Sequence, residues 1–329
     1  MSSLTRLQAT SNSLLNWIFQ DKDSVIKEKP SFVFDMFVEH LDSVYESLPI
    51  TTNKVDVDLL KFSRKDYQDK DLDFIIEIQN EIHKNDIFSS FLIHGSCADL
   101  NMVPGWSDFD SIAVLKKGSL SRENRYQAFE TCQKIEKIMR TLDPYQHHGI
   151  HFIHEKEMSS FPSLYLPFDL LKDTKCLLGN KSITVGRVDS AMQESARFSG
   201  IVKTLAKASE TGVLRHHAKD GKYLLENYED PDTMYQLKYL MCVVMLLPTL
   251  WLNLRGTYCQ KSESYILIKK YFSGEDLEFL EACSSIRFDW KKSYHAGNTI
   301  PEQVKKALGK NYLARAAKFA ILLESRLDA

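Results

Sequence analysis

Residues 88–115 read FSSFLIHGSCADLNMVPGWSDFDSIAVL. The first part, 89–93, is short and mostly apolar, and it stops at Gly95-Ser96. The last part, 109–115, is apolar again, with Asp108 and Asp110 at its start. The order predicted is strand, Gly-Ser turn, loop or short helix, strand. Side chains two apart on a strand point the same way, so the two carboxylates stand side by side. Carboxylates that close repel unless a cation or proton lies between them. Hard oxygen ligands in a pair suit Mg²⁺, which takes one or two carboxylates and completes its shell with water and phosphates. Glycine lets a backbone approach a phosphate closely, and Gly95-Ser96 offers N–H groups and a hydroxyl.

His94-Gly95-Ser96, eleven residues, then Asp108-Phe109-Asp110 opening an apolar strand resembles the nucleotidyltransferase superfamily of the DNA polymerase β type. That group includes antibiotic nucleotidyltransferases, poly(A) and CCA-adding enzymes, and oligonucleotide cyclases. The likeness runs over residues 85–185. It implies an α+β fold: a polymerase-β-like core with a mixed sheet and helices on one side, a C-terminal all-helical lobe, and N-terminal helices. It implies transfer of a nucleoside monophosphate from an NTP to a hydroxyl acceptor, with release of pyrophosphate. Asp108 and Asp110 would be catalytic and would hold Mg²⁺ or Mn²⁺. Gly95, Ser96 and Ser107 would bind the nucleotide, and Lys203, Lys207 and Lys238 of the helical lobe are candidate cations for the triphosphate. Relatives carry a third acid on a following strand. Here that place holds His151, between Ile150 and Phe152. Either Asp143, Glu155, Glu157 or Asp169 fills the role, or the site runs on two carboxylates and a catalytic histidine.

A chain of 329 residues is long enough for two domains or one two-lobed unit. It is 43% hydrophobic and 26% charged, so it can bury real cores. The net charge of −2 and the lack of an Arg/Lys-rich arm argue against long nucleic acid and anionic membrane as partners. A small molecule, a nucleotide or a protein side chain remains open as the acceptor. Six scattered cysteines without a CxxC read as reduced thiols. The first residues lack a basic start followed by an apolar core and a cleavage site. Both point to a cytoplasmic protein.

Residues 1–84 read as an N-terminal helical segment packed on the core. Leu4 to Phe19 gives a loose amphipathic stripe. Val33, Phe34, Phe37, Val38, Leu41, Val44, Tyr45 and Leu48 follow the helical period, and 71–84 repeats it. The catalytic core is placed at 85–188. Within it, 121–142 reads as helix, 149–153 as strand, 163–180 as a short helix after Pro167, and 183–185 as an edge strand. The C-terminal domain, 189–329, reads as all helix: 190–209, 234–254, 262–272, 276–287 and 307–327. The segment 234–254 is the most apolar, and Pro248 is expected to kink or end its helix near Leu247.

His147, His148, His151 and His154 fall within eight residues. On a strand His151 and His154 face opposite sides, so the cluster does not converge as a zinc site must. A general-base role falls to His148 or His151. The competing class is a non-catalytic module that binds a nucleotide or a partner and has lost the third acid.

Overall fold

Antiparallel pairing of 88–93 with 111–115 places the end of one strand beside the start of the other, and the rest of the sheet grows from that pair. The computed structural model describes residues 39, 41, 43–48, 53–68, 72–103, 105–119, 121, 124–142, 150–161, 167–187, 191–217, 223–227, 234–290 and 301–327. The chain is α+β, and it packs as two units. One takes in the described residues up to Met102, Asp108–Leu142, and those from 150 to 187. The other takes in Val103–Ser107 and the described residues from 191 onward.

In the first unit the strands are β1 (Lys54–Asp58), β2 (Leu60–Lys61), β3 (Phe88–Ile93), β4 (Ser111–Leu115), β5 (Ile150–His154), β6 (Lys175–Leu178) and β7 (Ser182–Gly186). Five form a mixed sheet in the order β2-β6-β3-β4-β5, with β4 and β5 parallel and β3 antiparallel to both of its neighbours. β1 pairs antiparallel with β7. The helices are α1 (Lys65–Gln68), α2 (Asp73–His83), α3 (Gly95–Ala98) and α4 (Arg125–Leu142).

Alternation along the strands sends side chains to two cores. Phe91, Ile93, Ala113, Leu115 and Phe152 bury against Ile75, Ile78 and Ile82 of α2 and Cys132, Ile135 and Met139 of α4. Leu92, Ile112, Val114 and Ile153 face the other way, against Val57, Leu59, Ile183, Val185, Leu170 and Leu171. Parallel β4 and β5 are therefore apolar on both faces, as such strands usually are.

Several sequence expectations change. Residues 54–58 and 60–61 are strands, not part of a helical segment. Val55, Val57 and Leu59 alternate with Asp56 and Asp58, a period of two that the helical reading passed over. Residues 168–173 form a 3₁₀ turn and 175–178 a strand, where one helix was expected. The helix expected at 32–48 is described only in part: 43–46 are helical, and Leu41, Tyr45 and Leu48 join the α2–α4 core. The stripe from Leu4 to Phe19 lies outside the described residues.

The second unit holds α5 (Ala191–Thr211), α6 (Met234–Leu254), α7 (Lys261–Leu267), α8 (Glu278–Asp289), α9 (Glu302–Leu308) and α10 (Tyr312–Ser325). It is not all helix: β8 (Val213–His217) and β9 (Tyr223–Asn227) form an antiparallel hairpin. VLRHH and YLLEN lack clean alternation, so periodicity gave no strand signal. The closing helix is two helices, divided at Gly309, whose φ is +76°. α6 runs through Pro248 to Leu254 without ending near Leu247. Leu247, Leu250, Trp251 and Leu252 are all buried beside it, and that burial outweighs the roughly 3 kcal/mol of an internal proline. The stretch Leu237–Leu254 is long and apolar enough to cross a membrane, yet 72% of it is buried within the protein, as suits a core helix. Trp106 joins this unit's core and meets Trp290 edge-on, ring centroids 5.0 Å apart.

Phe109, between the two aspartates, is fully buried and packs edge-on against Phe74 of α2. Phe109→Ala should lower unfolding free energy by about 3–5 kcal/mol in urea titrations, the usual loss for a buried aromatic.

Candidate functional site

The end of β3 turns sharply after Ile93. His94 is extended, and its N–H donates to the carbonyl of Asp110 at 3.1 Å, which continues the β3–β4 ladder by one step. Gly95 follows with φ +61°, a conformation that glycine adopts without strain. α3 then begins, with Asp99 N–H on the Gly95 carbonyl and Asn101 N–H on the Ser96 carbonyl.

The Gly-Ser turn and the Asp-x-Asp stretch meet here. A Cβ placed on Gly95 would come within 2.9 Å of Asp110 Oδ2. The Asp110 carboxylate occupies the room that a side chain at 95 would need. Ser96, Asp108 and Asp110 are half-buried. Cys97 is buried, and its Sγ lies 3.6 Å from the Asp108 carbonyl. Burial first, then the nearby charge of Asp110, pushes its thiol well above the ordinary range. Cys97 is therefore packing, not a nucleophile.

Two residues that sequence reasoning missed support the turn from the helical side of the sheet. Tyr67 of α1 is fully buried and donates its hydroxyl to the Cys97 carbonyl at 3.0 Å. The ammonium of Lys175, at the start of β6 and itself buried, lies 4.9 Å from the centre of the Tyr67 ring. Lys175 is in register with Ile93, so β6 delivers it to the same end of the sheet as the turn. Nothing local in the sequence marks either residue, because their roles depend on strand order.

His151 lies on β5 opposite Ile112 of β4 and is half-buried. Ile112 follows Asp110 by two, so along the extended chain Asp110, Ile112 and His151 share one face of the sheet. The alternative third acids differ in placement. Glu157 is fully buried and accepts from the His154 N–H at 2.7 Å, capping a 3₁₀ turn. Asp169 pairs with Arg187 at 3.2 Å. Glu155 is half-buried in that capped turn. Asp143, His147 and His148 lie outside the described residues. Among the described residues no three His, Cys, Asp or Glu side chains group closely enough to hold a metal between them.

Ser107 closes its own loop, its hydroxyl accepting from the Val103 N–H at 2.9 Å. Lys203 is exposed on α5, whereas Lys238 on α6 is 1% exposed, inside the helical unit. His154 stacks on Tyr45, ring centroids 4.2 Å apart, and its Nδ1 accepts from the Lys156 N–H. Burial, with help from Lys156 and Lys117, drives its pKa down to about 4.

Comparison of the chain with protein-family models, curated proteins and solved structures finds no match.

Gly95→Ala forces a side chain into the left-handed region and against Asp110. It should cost about 1–3 kcal/mol in thermal or urea unfolding, more than Ser96→Ala, which removes one hydroxyl. His154 supplies a pH test. Its folded pKa lies below the unfolded value near 6.5, so the unfolded state binds more protons between about pH 4 and 6.5. Stability is full above that window and falls as pH drops through it, by up to about 1.4 kcal/mol per unit. Urea midpoints across pH 4–7 should show this slope, and His154→Phe should flatten it.

Proposed function

We propose that the first unit is a polymerase-β-like nucleotidyltransferase core that moves a nucleoside monophosphate from an NTP to a hydroxyl acceptor. The observation that carries this reading is the contact of Gly95 with Asp110. It brings a Gly-Ser turn and an Asp-x-Asp pair to one end of adjacent antiparallel strands, the arrangement that the resemblance implies.

The donor set fits a divalent cation. Asp108 and Asp110 supply hard oxygens at a partly open edge, and two protein carboxylates suffice for Mg²⁺ when water and phosphate complete its shell. Bound there, the ion would neutralise charge building on the α-phosphate. The chain's own groups do the rest. The Ser96 hydroxyl and the turn hold the β- and γ-phosphates, which aligns the leaving group. The acceptor oxygen attacks the α-phosphorus, the α–β anhydride bond breaks, and pyrophosphate departs. His151, on the face shared with Asp110, takes the acceptor's proton, the role a third carboxylate would otherwise fill.

A second reading has its own support. Among the described residues no third His, Cys, Asp or Glu completes a metal-holding group with the pair, so a module that binds NTP without transferring it would show the same architecture.

Incubation with each labelled NTP and Mg²⁺, with and without cell extract, tests both. Pyrophosphate release with a labelled product is expected, and the Asp108→Ala, Asp110→Ala double variant should abolish it while remaining folded. Full activity in that variant would sink the assignment, and saturable NTP binding without release would favour the second reading. His151→Ala should lower kcat by about 10²–10⁴-fold and flatten the acid limb of the pH–rate profile. If His151→Ala is near wild type while Glu155→Gln or Asp143→Asn is severe, the acid and not the histidine is the base.

A further inference from the structure

Residues 97–107 join the Gly-Ser turn to the Asp-x-Asp pair, and the last of them, Val103–Ser107, belong to the helical unit. The chain passes back to the first unit at the bond between Ser107 and Asp108. Just before that bond it folds as a tight turn. Gly105 takes φ +81°. The N–H groups of Trp106 and Ser107 donate to the Val103 carbonyl at 3.0 and 2.9 Å, and the Ser107 hydroxyl accepts from the Val103 N–H. A large indole fixes the turn in place. Trp106 is 5% exposed, in the same core as Phe198, Leu240 and Trp251. Its ring meets that of Trp290, which is buried at the end of α8 with its N–H on the Arg287 carbonyl.

Asp108 thus stands between two buried aromatic anchors in different cores. Trp106, two residues before it, is planted in the helical unit, and Phe109, the next residue, in the α2–α4 core. Asp110 is held otherwise. Its carbonyl accepts the His94 N–H, which extends the β3–β4 ladder, and β4 begins at the next residue. The sheet can set Asp110 by itself. It does not set Asp108 alone, because that backbone leads straight into a turn held by the other core.

We propose that Trp106, clamped by Trp290, is the positioning residue that sets Asp108 for a divalent cation, so that the helical unit tunes the affinity of a metal site whose ligands belong to the first unit. This rests on the reading of Asp108 and Asp110 as cation ligands, and it gives the loop between the motifs a reason to enter the helical core. Mg²⁺ demands near-ideal octahedral geometry, so it tolerates little error in where a carboxylate stands. Groups that orient a ligand without touching the ion change metal affinity by about 10–100-fold. The coupling is reciprocal: a cation on Asp108 holds the 103–107 turn more firmly.

Titration of the full chain with Mn²⁺, the free ion counted by electron paramagnetic resonance, reads affinity without turnover. The unaltered chain should bind, and the Asp108→Ala, Asp110→Ala double variant should not. Trp106→Ala should weaken binding about tenfold or more, and Trp106→Phe, which keeps an aromatic ring in the core, should restore most of it. Phe272→Ala cuts into the same core at a ring that meets Trp251; it should lower Tm and leave Mn²⁺ affinity unchanged. If Trp106→Ala binds as tightly as the unaltered chain, or Phe272→Ala weakens binding as much, the inference is overturned and the aspartate reading survives. No binding by the unaltered chain, or binding that persists in the double variant, removes the aspartate reading and this inference with it. Should Trp106→Ala not fold, hydrogen exchange of the unaltered chain decides. Mg²⁺ should slow exchange at the Trp106, Ser107 and Trp290 amides, and no slowing there would overturn the proposal.

Discussion

The approach of the Asp110 carboxylate to the backbone of Gly95 is the constraint on which the edge of the mixed sheet depends. β3 and β4 are antiparallel, so the last residue of one and the first of the other are neighbours, and the His94–Asp110 backbone bond carries the pairing one step past both strands. A carboxylate is thereby pressed to the point where the chain must turn. Any side chain at 95 would collide with it, and a φ of +61° is poorly tolerated by residues that carry a Cβ. Tyr67, held under the turn by its bond to the Cys97 carbonyl and by Lys175 beside its ring, stops the turn from relaxing inward.

Two acids on one strand mouth need an anchor. Phe109, fully buried between them, is worth about 3–5 kcal/mol. It ties the stretch that carries both acids to the α2 side of the core, through its edge-on contact with Phe74.

The helical unit is organised differently. Its central helix, α6, is apolar nearly all round and is covered by α5, α8 and α10, with Trp251 donating to the Leu323 carbonyl at 2.8 Å. Such a helix tolerates Pro248 because packing on every side replaces what the lost hydrogen bond gave.

The sequence by itself determined the elements whose residues signal locally. The apolar runs at 88–93 and 111–115, the helical stripes of 73–83 and 125–142, and the Gly-Ser and Asp-x-Asp motifs were all readable, because period and turn chemistry lie within a few neighbouring residues. The short strands at 175–178 and 213–217 were not, since a few residues of mixed polarity take their strand form from the partner they pair with; the strand at 54–58 did carry a local period of two. Only the tertiary structure decided that Gly95 yields its space to Asp110, that His151 falls in register with Ile112, and that Tyr67 and Lys175 support the turn from elements far away in the chain. Strand order is a property of long-range pairing, where non-local contacts must overcome loop entropy, and no local pattern encodes which strand will lie beside which.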